Sequence, residues 1–118
     1  MIEHRKLARI SLGPEHTLRF VAGGHVFQGI RIANLSEGGC FITVPQADAG
    51  VFLRGTLLEQ MHFEGVGLPA GALTGSVAYA MGAIASMAVV GVGVTFLNLS
   101  EATRGELARF VEERLRRN

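Results

Sequence analysis

Between Glu64 and Glu101 the chain carries no charged residue. Such a stretch has to be covered, either by the rest of a folded domain or by lipid. Residues 77–97 are long enough to cross a bilayer, and their only polar side chains are Tyr79, Ser86 and Thr95. No Lys or Arg flanks them to set an orientation, however, and Gly82, Gly91 and Gly93 interrupt the run. The stretch also divides into two β-type runs. Residues 73–80 alternate moderately, and residues 89–97 are rich in β-branched side chains. Two strands are therefore expected here, with a membrane-spanning segment as the alternative of another class.

The remainder reads as more strands of the same kind. Residues 17–22 and 26–33 flank Gly23-Gly24 as a hairpin, with Arg19, Gln28 and Arg31 at outward positions. Residues 34–39 form a second turn, residues 40–44 another strand stopped by Pro45, and residues 55–63 a further one. Six short strands with glycine turns predict an all-β fold, a six-stranded antiparallel Greek-key-like barrel, whose closure removes exposed edges. Only the C-terminal end is helical in pattern. Ser100 suits an N-cap, Glu101 suits the first turn, and Leu107, Phe110, Val111 and Leu115 form one apolar stripe. At 118 residues the chain is expected to be a single domain: a flexible basic arm over 1–12, the barrel over 15–97 and a C-terminal α-helix over 100–117.

Composition narrows the function classes. Hydrophobic residues make up 48% and charged residues 18%, which predicts a packed core rather than disorder. The net charge of +1 argues against a domain built to coat nucleic acid or an anionic membrane. A lone cysteine, Cys40, can form neither an internal disulfide nor a zinc cluster, and residues 1–6 are charged without a following apolar run, unlike a secretory signal. A reducing, cytoplasmic setting is expected. Enzyme signatures are missing: no phosphate-binding loop, no third glycine after Gly91 and Gly93, no paired histidines among His4, His16, His25 and His62, and no nucleophile elbow around Ser36. The histidines are expected at the surface or in turns, and neither catalysis nor a cofactor is expected.

Two clusters remain. Arg5 and Arg9 stand four residues apart beside Lys6, against a single acid, Glu3, in the first ten residues. They read either as a frayed basic terminus or as a clamp, since the planar guanidinium fork bonds phosphate or the O6/N7 edge of guanine and stacks on bases. Asn34, Ser36, Gly38 and Gly39 read either as a structural turn with glycines at positive φ or as a ligand shelf of short polar groups and exposed N–H donors.

In this order and at this separation the two clusters resemble the PilZ domain, a bacterial receptor for cyclic di-GMP. Arg5 and Arg9 match the family's R-x-x-x-R, and Asn34, Ser36 and Gly39 match its [DN]-x-S-x-x-G. The run from Gly91 to Ser100 and the helix after it resemble the family's end, so the likeness covers nearly the whole chain. The resemblance implies that Arg5 and Arg9 grip guanine edges and phosphates from an arm that wraps the barrel. Asn34 and Ser36 would hold one guanine, and Gly39 would keep the turn open. His4 occupies a position thought to influence how many ligand molecules stack, and Lys6 could add a phosphate contact. Asn34 stands where Asp is commoner and accepts more weakly from guanine N–H groups. With no output module in 118 residues, binding would act by changing affinity for a protein partner. The rival is a PilZ-like adaptor, as in pilus assembly, that binds no nucleotide. The apolar residues 81–90 read as an unusually greasy connection, either packed on the barrel or forming a partner or homodimer surface.

Overall fold

A computed structural model describes residues 8–84 and 88–117. Its strands are β1 (Ile10–Ser11), β2 (Thr17–Ala22), β3 (His25–Leu35), β4 (Gly39–Pro45), β5 (Leu57–Glu64), β6 (Leu73–Ile84) and β7 (Val89–Leu97), followed by helix α1 (Glu101–Arg116). The sheet order is β1-β3-β2-β5-β6-β7-β4, and β4 pairs back onto β3. All of these pairings are antiparallel, so six strands, β2 to β7, close on themselves, as expected. β1 is an addition. Its Ile10 and Ser11 lie opposite Leu35 and Asn34 of β3, extending the edge that β2 occupies farther up that strand. The expected free arm over 1–12 is thus pinned at its end, because Ile10 and Leu12 are apolar and bury themselves in the barrel core.

Alternation sets which way each strand faces. Phe20, Ile32, Ile42, Leu58, Val77 and Val92 point inward and are fully enclosed, while Arg19, Gln28 and Arg31 point out as their pattern predicts. Phe20, Phe27 and Phe52 pack ring against ring at 5.2–6.0 Å between centroids. The β2–β3 turn has Gly23 at φ 58° and Gly24 at φ 81°, the paired left-handed conformation that a two-residue hairpin of this twist requires.

Within the uncharged stretch, Leu73–Ile84 and Val89–Leu97 fold as the paired strands β6 and β7. Among the described residues no helix is long and apolar enough to cross a membrane. The supposed connection at 81–90 is corrected likewise: β6 runs on to Ile84 and β7 begins at Val89, with residues 85–87 of that reading outside the described part. The backbone continues pairing there because Ala83 and Ile84 find Val90 and Val89 opposite.

α1 is capped as its sequence indicates: the Ser100 side chain accepts from the Thr103 N–H at 3.1 Å. Leu107, Phe110 and Val111 are buried, but Leu115 of the expected stripe is exposed. His16 also departs from expectation. It is buried, with its ring edge-on to Phe110 at 5.5 Å and its Nε2 3.2 Å from the Val66 carbonyl.

Candidate functional site

Arg9 lies at the end of the arm, one residue before β1, and its Nη1 donates to Asn34 Oδ1 at 2.7 Å. The two motifs identified in the sequence therefore meet, although 25 residues separate these members. The expected turn over 34–39 is shorter than its sequence implied. Asn34 and Leu35 belong to β3 and Gly39 to β4, because Leu35 fills the core opposite Cys40 and keeps the strand paired. A bulge at Ala33 reverses the alternation beside Asn34 and turns its amide outward, toward the arm.

Ser36 is 3% exposed. Its hydroxyl donates to the Gly39 carbonyl at 3.3 Å and accepts from the Gly38 N–H at 3.2 Å, while its own N–H donates to the Gly39 carbonyl at 2.9 Å. The side chain thus ties the β3–β4 turn and holds Asn34 and Gly39 in place. Gly38 and Gly39 do not adopt the left-handed backbone expected of them. Gly39 is needed for a different reason: a Cβ there would collide with the Val94 carbonyl on the neighbouring strand β7. Arg5, with His4 and Lys6, lies outside the described residues.

Beneath this corner Cys40 faces the core. Burial pushes its thiol up to about 12, opposed by the nearby positive charge of Arg9. A neutral buried thiol is a poor nucleophile, so Cys40 acts as core. Among the described residues no three His, Cys, Asp or Glu gather as metal ligands.

A second feature escaped the sequence reading. A cleft of about 700 Å³ lies between α1 and residues 65–70, lined among others by Glu15, His16, Arg109, Phe110, Arg114 and Arg117. Arg9 and Asn34 do not border it. His16 Nδ1 faces the Glu15 carboxylate at 3.6 Å and has no hydrogen-bond partner among the described residues. Nothing in the spacing of a lone histidine announces such burial.

The PilZ domain family model matches residues 3–113. This chain belongs to the PilZ domain family. Its fold recurs in the PilZ domain with c-di-GMP of YcgR from Escherichia coli, with a TM-score of 0.74, 18% identity, and coverage of 98% of this chain and 94% of that one. It recurs also in the Bacillus subtilis inhibitor of motility MotI/DgrA (TM-score 0.78, 12% identity, 99% and 54% covered). The K. pneumonia MrkH–c-di-GMP complex gives a TM-score of 0.73 at 13% identity, with 99% and 57% covered. The PilZ chain described here thus spans a little over half the length of MotI and MrkH. No curated protein matches.

Proposed function

We propose that this PilZ domain is a non-catalytic cyclic di-GMP receptor that couples nucleotide binding to a protein partner. The observation that carries the reading is the Arg9–Asn34 hydrogen bond, which joins both halves of the motif at one corner of the barrel. Family membership supports it, as do c-di-GMP complexes of YcgR and MrkH on the same fold. In this reading Arg5 and Arg9 take phosphates and guanine edges as planar forks, Asn34 bonds one guanine, and Ser36 and Gly39 shape the turn that presents it. His4 and Lys6 are proposed as flanking contacts.

The arrangement implies a switch. Without ligand, Asn34 accepts from Arg9; a guanine edge and a phosphate would compete for the two groups and draw the arm onto the barrel. The arm loses conformational freedom on closing and presents a surface that a partner can distinguish. A cytoplasmic location goes with this reading, because the messenger has to reach the site.

Calorimetric titration of the chain with cyclic di-GMP, with GMP as control, tests the proposal. Saturable heat that GMP does not reproduce is expected, and Arg9→Ala should weaken binding at least tenfold, as loss of a charge-assisted contact does. A folded sample giving no heat at high ligand concentration overturns the reading and leaves the nucleotide-independent adaptor in its place.

A further inference from the structure

Closure of a barrel removes free edges only where each strand is paired on both sides. β6 is 12 residues long and β5 only 8. β5 pairs with the first part of β6 alone, from Leu73 to Ser76. The turn before β5 adds one more step: the Gly55 N–H donates to the Val77 carbonyl at 2.8 Å, and the Val77 N–H donates to the Thr56 carbonyl at 2.9 Å. Beyond Val77, β6 continues to Ile84 against β7 on one side. Among the described residues no strand pairs with its other side. β7 itself stays covered, because β4 follows it as far as Pro45 opposite Val89.

A free edge offers unpaired N–H and C=O groups to another strand, and proteins ordinarily guard it with charge or proline. β4 carries such a guard. Beyond Thr43, its last residue opposite β3, it ends in Pro45 and passes into a short 3-10 helix, Gln46–Val51. Residues 78–84 of β6 contain neither a charge nor a proline. Ala80, Met81 and Gly82 are exposed, and a Cβ built at Gly82 would meet open space. Leu53 and Leu57 are exposed at the turn and strand end where the edge becomes free. Two bulges, between Val77 and Tyr79 and between Ala80 and Ala83, bend the segment. They shorten the run that another strand can follow, so a contact made here is small and the association weak.

The missing charge selects the occupant. A strand laid on this edge has to bring uncharged side chains beside Met81 and Leu57, and the same segment of a second copy has that character. Turned antiparallel about a two-fold axis, the two segments complement each other, and one contact uses both edges and leaves none to propagate. We infer that residues 78–84 of β6 pair with the same residues of a second copy, making the chain a weak two-fold dimer whose sheet continues from one barrel into the other. The inference goes beyond the receptor reading and does not depend on it.

Sedimentation of the whole chain without nucleotide, from about 10 μM to about 1 mM, tests it in the range of a weak interface. A monomer–dimer equilibrium is expected, and backbone amides within 78–84 should exchange more slowly as concentration rises. Gly82→Lys and Met81→Lys set like charges across the two-fold and should each weaken dimerisation at least about tenfold, with the far-UV circular dichroism unchanged. Val66→Lys, a charge placed at an exposed position beside the α1 cleft, should leave the equilibrium as it is. If one lysine variant does not fold, the other variant and the exchange data decide. A parent chain that stays monomeric at the highest concentration overturns the inference. So does a dimer that both lysine variants leave intact, or one whose amides within 78–84 exchange at the monomer rate. A dimer broken by Val66→Lys alone also overturns it and assigns the contact to the α1 cleft.

Discussion

The chain is basic at both ends, yet the two ends use their arginines differently. Arg9 meets a neutral acceptor, Asn34, which a bulge turns outward on a rigid strand. On α1 the charges are met locally: Arg116 pairs with Glu112 at 3.6 Å, and the Arg114 guanidinium lies 5.0 Å from the centre of the Phe110 ring. Glu106 and Glu113 line the same cleft as Arg109 and Arg117. Composition alone would rank the helix as the stronger anion site. The surroundings reverse that order, because an arginine among its own carboxylates offers little net field, whereas one held by an amide can exchange it for a phosphate.

The difference predicts that the helix end governs stability and the arm end governs binding. Phe110→Ala removes the ring that packs on His16 and should cost about 3–5 kcal/mol in denaturant unfolding. Cyclic di-GMP affinity measured well below the transition should stay within twofold. A parallel loss of affinity would show that the two ends are coupled.

Next in size is the effect of Cys40. Its thiol is raised from 9.0 to about 12 by burial, so the folded chain keeps a proton that the unfolded chain releases. Its contribution to stability is therefore complete below pH 9 and declines as pH rises toward 12. Denaturation midpoints measured from pH 8 to 11 should fall in the parent more steeply than in Cys40→Ala. Equal slopes would show that the core beside the site admits water.

The smallest effect is expected from Arg114→Ala. Its cation–π contact is partly exposed and should contribute about 0.5–1 kcal/mol, with no change in cyclic di-GMP affinity. A loss of binding there would move the site from the arm to the helix.

Much of this architecture could be read directly from residue order. The β2–β3 hairpin follows from Gly23-Gly24 between alternating runs, and the helix from Ser100, Glu101 and an apolar spacing of three and four. Both are local patterns. The resemblance assigns Arg9 and Asn34 each to a ligand; that the two side chains bond each other is not legible in the residue order. What stayed illegible depends on neighbours distant in the chain. Gly39 looks like a turn glycine until Val94 is placed against it, and the burial of the Ser36 hydroxyl is not evident until the turn closes over it. Residues 81–84 looked like a connection because the bulges that let β6 run on are set by its partner β7.

Residue order therefore determined six of the seven strands in outline, the helix and the residues that the family motif requires, since turn chemistry and side-chain period act over a few positions. The register decided the rest. Strand pairing brought Phe41, Gly93 and Tyr79 into line with Asn34, and the packing of α1 on the barrel set Phe110 against His16. The line across the sheet is complete only when the barrel closes, because β4 and β7, which join its two halves through Phe41 and Gly93, are far apart in the chain.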